Sequence, residues 1–189
     1  MTISNRAEIP DVKVFSLDRF SDERGYVTET FSESAFSSLL NPQVPIISVH
    51  ETFSKKNVLR GLHYQIDRPQ SRLIRVSYGM IYEVAVDLRK SSPTFGKWRS
   101  ETLSADYFST MWVPSGVAHG YLVLSDFAIV SIFTDQTWNA DRQRFIRWDD
   151  KTLSIDWPLF REYPILVPPI TSERDKKSSS FLDAEHFNG

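Results

Sequence analysis

Short runs of apolar and β-branched residues, broken by Gly, Pro, Ser, Asn or Asp, dominate the chain. Strand-length runs fall at 12–15, 26–31, 45–53, 57–65, 72–78, 80–88, 120–124 and 128–134. Helical periodicity is scarce. The best candidate is 32–40, with Ser32 as N-cap, Ala35, Phe36, Leu39 and Leu40 on one face, and Asn41-Pro42 as the stop. A second short helix is expected within the C-terminal fifty residues. Gly25 and Gly96 sit at expected turns, and Gly79 between two apolar runs reads as a tight hairpin turn needing positive φ. Many short strands without a βαβ rhythm predict an all-β sandwich or closed barrel rather than a parallel nucleotide-binding sheet. The polar stretch Lys176-Lys177-Ser178-Ser179-Ser180 is expected to begin a loose C-terminal tail.

Composition narrows the function classes. At 189 residues the chain fits one domain, 1–189, with its own core. The absence of cysteine removes disulfides, iron–sulfur clusters, thiolate zinc sites and cysteine nucleophiles, and fits a reducing compartment. A net charge of −2 offers no basic excess for a phosphate backbone, so nucleic acid is not an expected partner. No apolar run approaches a bilayer span, and the first twelve residues lack a signal-peptide stretch, so no membrane partner and a cytoplasmic location are expected. The chain also lacks G-x-G-x-x-G, a phosphate-cradling loop and G-x-S-x-G.

Four histidines carry the candidate chemistry: His50, His63, His119 and His186. His186, three residues from the end, reads as a solvated tail residue. Arg60 and His63 stand inside the apolar run Asn57-Val58-Leu59-Arg60-Gly61-Leu62-His63-Tyr64-Gln65, where a buried charge needs a partner or a ligand. Strict alternation puts the two on opposite faces, and a bulge at Gly61 would turn both toward one cavity. The competing reading is a hydrogen-bonded core histidine with Arg60 at a strand edge. His119 follows the turn in Trp112-Val113-Pro114-Ser115-Gly116-Val117-Ala118-His119. A metal site of three imidazoles and a carboxylate stays open, although the expected close pair such as H-x-H is missing. Asp22, Glu23 and Asp87 with Arg24 and Arg89 can be read simply as solvated turn charges.

From about Asp11 to Asp175 the chain resembles the dTDP-4-dehydrorhamnose 3,5-epimerases, cupin-type jelly rolls. The resemblance rests on Asp22-Glu23-Arg24-Gly25, residues 57–65, Asp87-Leu88-Arg89-Lys90-Ser91-Ser92-Pro93-Thr94-Phe95-Gly96, residues 112–120 and Ile155-Asp156-Trp157-Pro158. It implies a metal-free, cofactor-free reaction on a nucleotide sugar. A base removes a proton beside the C4 ketone of a 4-keto-6-deoxyhexose, and the enolate is reprotonated from the other face. In that comparison His63 is the base and Asp175, within Ser172-Glu173-Arg174-Asp175, orients it. His119 is implied near the substrate. Arg24, Glu29, Arg60 and Arg174 match positions that hold the sugar nucleotide.

The departures from the family pattern are specific. Arg72 stands where the family has an enolate-stabilising lysine and keeps its charge. Ile132 stands where the family has a tyrosine acid, and isoleucine donates no proton; Tyr121 is a candidate substitute. Trp138 occupies the place of an aromatic that stacks near the nucleotide. Ser48, Val49 and His50 replace a polar ligand-binding trio, and Gln143 replaces a glutamate. Three readings follow: an epimerase inverting C3, C5 or both; a keto-sugar isomerase of the same fold; or a catalytically impaired sugar-nucleotide binder. Retention of His63 with Asp175 argues against the binder. The resemblance also implies a homodimer with the pocket near its interface.

Overall fold

The computed structural model describes residues 2–4, 9–39, 44–162 and 165–188. Its strands in chain order are β1 (Thr2–Ser4), β2 (Lys13–Ser16), β3 (Phe20–Asp22) and β4 (Gly25–Val27), then after helix α1 (Glu33–Leu39) β5 (Ser48–Lys55) and β6 (Leu59–Gln65). Next come β7 (Arg72–Tyr78), β8 (Met80–Asp87), β9 (Trp98–Ser104), β10 (Ser109–Val113), β11 (Val117–Val123) and β12 (Phe127–Thr134). A 3₁₀ turn (Ala140–Arg142), β13 (Gln143–Phe145), β14 (Arg161–Glu162), β15 (Ile165–Leu166) and helix α2 (Glu173–Lys176) complete the chain. Among the described residues these form a six-stranded sheet, β1-β2-β10-β7-β12-β5, and a five-stranded sheet, β13-β6-β11-β8-β9, with two small ribbons. The pairings within the two sheets are antiparallel. This is the all-β class that the pattern of short strands predicts, arranged as the jelly roll that the family resemblance implies.

Alternation explains how the sheets meet. Val14, Ile74, Val76, Met111, Val113, Ala128 and Val130 of the large sheet pack against Ile81, Ala85, Leu103, Val117, Tyr121 and Val123 of the small one. Each buried Val, Leu, Ile or Met among them contributes roughly 1.5–3 kcal/mol. The outer face of the large sheet is covered at Phe15, Leu73 and Trp112 by Phe36 of α1. Phe36 meets Phe15 edge-on at 5.3 Å. Ser32 opens the helix by accepting a backbone hydrogen bond from Phe36, and the expected Asn41-Pro42 stop lies outside the described residues. The small sheet is apolar on its second face too, where Val84, Val86, Leu88 and Leu122 lie under Ile146, Leu153, Trp157 and Phe181. Burial on both faces is why residues 80–88 read as a nearly unbroken apolar run.

Several expectations are corrected. Gly79 does have positive φ (79°), but it is not a hairpin turn: β7 and β8 belong to different sheets. Gly79 is the corner where the chain crosses between them. A Cβ there would lie 2.2 Å from the Phe127 carbonyl oxygen. The run at 26–31 is a strand only through Val27, while β9, which mixes Ser, Thr and charged residues, and β10, with only Met111-Trp112-Val113 apolar, lie outside the predicted runs. The polar stretch after Lys176 does not run loose. Ser179 bridges Ile146, Phe181 is buried, and the Phe187 N–H donates to the Leu88 carbonyl at 3.0 Å. His186 is accordingly not a solvated tail residue; its ring packs on Phe95 and Phe181 at 5.1 and 4.8 Å. Asp87 is buried rather than a solvated turn charge, and accepts hydrogen bonds from Arg89, Ser92 and Thr94. Asp22 and Arg24 do pair in an exposed turn.

Candidate active site

The site begins with two glycines. Gly61 (φ 140°) on β6 faces Gly120 on β11, and a Cβ on Gly61 would stand 2.5 Å from Gly120 Cα. At this close approach the register shifts: His119 pairs with His63, and Tyr121 pairs with Arg60. One residue separates the β11 pair and two separate the β6 pair, which is the bulge expected at Gly61. His119 and Tyr121 share a face by alternation, so their partners His63 and Arg60 share it too. That face is the inner one, because Tyr121 belongs to the inter-sheet core.

His63 is partly exposed, and its Nε2 lies 2.6 Å from Asp175 Oδ1. Asp175 sits on α2, where Ser172 is the N-cap. The Ser172 hydroxyl accepts from the Asp175 backbone N–H and donates to Asp175 Oδ2 at 2.8 Å. Burial raises the Asp175 carboxyl, but the bonds from His63 and Ser172 outweigh it and hold the group below the usual aspartate range. The carboxylate therefore stays charged and fixes the imidazole with Nδ1 free. Phe145 of β13 closes one side, edge-on to His63 at 5.0 Å.

His119 forms a second pair on the same face, its Nδ1 2.8 Å from Oε1 of the fully buried Glu83. Here burial dominates in both directions: it pushes Glu83 well above and His119 well below their ordinary values, and the charges of Arg72 and His63 press His119 down further. Burial thus favours the neutral form of each group at this contact. Arg72, on β7 of the facing sheet, is buried, donates to both Gln70 oxygens, and is drawn by that burial down to about 10. It remains a cation at neutral pH.

The large sheet supplies the opposite wall. Ile132 lies between His50 and Ile74 in the pairing and packs against the inter-sheet core, so no phenol occupies that position. His50 is exposed and its Nε2 meets the Ser48 hydroxyl at 3.2 Å. Two residues along β5, Thr52 Oγ1 lies 2.8 Å from Tyr121 Oη, while Arg60 Nε donates to Ser54 Oγ at 2.9 Å. Trp138 donates to Gln143 Oε1 at 3.1 Å, and Gln143 pairs with Gln65, two residues beyond His63. Arg174 is exposed beside Asp175 and lines a surface hollow with Arg144 and Lys177.

Thus the inner face of the small sheet carries His63, bonded to Asp175, together with His119 and Arg60, while Arg72 acts on His119 from the facing sheet, where Ile132 pairs with His50, two residues from Ser48. Gln143, bonded to Trp138, joins through its pairing with Gln65. Arg24 and Glu29 are not brought to this site: both are exposed, and Arg24 is paired with Asp22. The three-imidazole metal arrangement is not formed either. Among the described residues no group of three or more His, Asp or Glu side chains is placed to hold a metal ion. Sequence reasoning missed Glu83, although a charged residue inside the apolar run 80–88 is the same signal that singled out Arg60.

Comparison with known proteins finds relatives over nearly the whole chain. A family model described as dTDP-4-dehydrorhamnose 3,5-epimerase matches residues 6–183. A dTDP-4-dehydrorhamnose 3,5-epimerase from Pseudomonas aeruginosa is 41% identical over 184 residues, covering 97% of this chain and 98% of the relative. The structure is similar, with a TM-score of 0.93 and 31% identity, to a dTDP-6-deoxy-D-glucose-3,5-epimerase from Legionella pneumophila in complex with dTDP-4-keto-L-rhamnose, covering 100% of this chain and 98% of that one. It is also similar, with a TM-score of 0.83 and 26% identity, to a 3'-monoepimerase from Streptomyces bikiniensis in complex with dTDP-quinovose, covering 92% and 85%. The chain therefore belongs to the dTDP-4-dehydrorhamnose 3,5-epimerase family of isomerases.

Proposed function

We propose that this enzyme inverts C3, C5 or both in a dTDP-4-keto-6-deoxyhexose, with His63 as the base. The observation that carries the reading is the 2.6 Å contact between His63 and the charged Asp175 on the inner face. The C4 carbonyl acidifies the neighbouring C–H bonds, His63 Nδ1 takes a proton, and Asp175 stabilises the imidazolium. Arg72 offers positive charge to the enolate oxygen. In this reading Arg60, His50 and Ser48 hold the sugar nucleotide, and Trp138 offers it a flat ring. Ile132 favours inversion at one centre over two, because the large sheet brings no phenol to that position.

The same reading includes a cytoplasmic homodimer of single-domain subunits. Its support is that Arg24 and Glu29, matched to ligand-binding positions, stand apart from the site within one chain. Exposed Phe20, Tyr26 and Val27 on that ribbon offer apolar surface to a second subunit.

Proton NMR in D₂O with dTDP-4-keto-6-deoxyglucose tests the reaction. The enzyme is expected to wash out the C3 signal, the C5 signal or both. His63→Ala is expected to lose ~10²–10⁴-fold in exchange rate while still binding dTDP by calorimetry. Equal exchange in wild type and variant would remove His63 from the role of base.

A further inference from the structure

Glu83 is a buried titratable group to which the proposed reaction assigns no task. Its side chain is 0% exposed, Oε1 meets His119 Nδ1 at 2.8 Å, and Oε2 has no hydrogen-bond partner among the described residues. An anion with one bare oxygen in this position would be strongly disfavoured by desolvation, which protonation relieves. We infer that Glu83 is a neutral carboxylic acid that donates to His119 Nδ1, holding His119 as the neutral Nε2–H tautomer, and that this N–H donates to the C4 oxygen while His63 removes the adjacent proton.

The surroundings bear on the protonation state from every side. Arg72 faces the pair from β7, and His63, with Asp175 behind it, stands beside His119 on β6. Glu101 pairs with Glu83 across β9, and Tyr121 pairs with it across β11. The Arg72 charge favours an ionised Glu83, but burial acts more strongly the other way. A carboxylic acid can satisfy Nδ1 only as donor, so the imidazole proton resides on Nε2.

The chemistry then balances within the site. His63 takes the carbon-bound proton, the C–H electron pair moves into the C4–O unit, and the new oxyanion meets the Arg72 guanidinium and the His119 Nε2–H. No proton leaves the Glu83–His119 pair, so the step needs no co-reactant. A neutral imidazole is better matched to an enolate oxygen than an imidazolium, since its N–H acidity is nearer that of the enol. His119 is a catalytic residue in this account, and Glu83 is a positioning residue.

The assignment rests on the epimerase reading, and its test separates the two. Nitrogen-15 NMR of the histidine rings, with the His119 signals identified by their loss in His119→Gln, is expected to report a neutral Nε2–H tautomer from pH 5 to 8. An imidazolium or an Nδ1–H tautomer would overturn the inference, whatever the enzyme turns over. In exchange kinetics Glu83→Gln, whose amide still donates to Nδ1, is expected to stay within about threefold of wild type. Glu83→Met, apolar and of similar volume, is expected to lose roughly 10–100-fold in kcat with KM unchanged. Equal losses in Gln and Met variants would show that ionisation of Glu83 is required and would sink the proposal. Absence of exchange in wild type would fail the epimerase reading while leaving the tautomer measurement to decide the Glu83–His119 pair.

Discussion

The two carboxylate–imidazole pairs meet through His63 and His119 on neighbouring strands, yet their carboxyls are shifted in opposite directions. Asp175 stands at the start of a capped helical turn, where a serine hydroxyl and an imidazole both donate to it, and it stays ionised although buried. Glu83 stands mid-strand, where the sheet consumes the backbone donors and one carboxyl oxygen is left bare. Asp87, at the end of that strand, extends the comparison. It is as buried as Glu83, but the turn that follows aims donors from Arg89, Ser92 and Thr94 at it. Burial raises all three carboxyls, and the shift is reversed only where donors are aimed at the carboxylate. A strand interior supplies few donors and a turn or helix start supplies many.

The largest effect expected from breaking this contrast is at Asp175. Asp175→Asn keeps the shape but removes the charge that stabilises the imidazolium, and a loss of roughly 10²–10⁴-fold in deuterium exchange is expected. A rate within tenfold of wild type would mean that the carboxylate only positions His63.

A smaller effect, read in stability, belongs to Asp87. Burial alone would raise its carboxyl, but the bonds from Arg89, Thr94 and Ser92 win and lower it from 3.8 to about 2. That depression contributes about 2 kcal/mol, fully present above the unfolded-state value and lost as pH falls toward the folded one. Asp87→Asn is therefore expected to lower stability in urea unfolding at pH 7, with the gap to wild type closing toward pH 2. A gap independent of pH would contradict the charged assignment. Glu83, raised rather than lowered, works with the other sign: its contribution is complete below the ordinary carboxylate range and declines as pH rises.

The smallest expected effect is Ser172→Ala. It removes the cap of α2 and one donor to Asp175, costing about 1 kcal/mol and lowering Tm by roughly 2–4 °C. The exchange rate is expected to fall less than in Asp175→Asn, because the charge remains. A rate loss as large as that of Asp175→Asn would mean that the cap, rather than the charge, holds His63 ready.

Much of this was legible in the chain itself. Alternation and turn residues predict the all-β class, and the runs at 72–78 and 128–134 become β7 and β12 almost to the residue. A charge inside an apolar run singles out Arg60 and His63, and the glycine between them announces the bulge. These signals are local, set by the two-residue period of a strand and by the few residues that accept positive φ. Where the pattern is misleading, the deciding contact lies far away in sequence. Gly79 is a sheet-to-sheet corner only because β10 and β12, not β8, pair with β7. The polar stretch after Lys176 packs down because Phe181 and Phe187 find apolar surface on the small sheet. The functional detail divides in the same way. Residue types placed His63 and Asp175 in one family pattern, but the protonation of Glu83 and His119 depends on burial and donor geometry contributed by strands dozens of residues apart. Sequence by itself determines which groups can carry a charge; the packed sheets decide which of them do, since only the tertiary structure sets how much solvent and how many donors each one keeps.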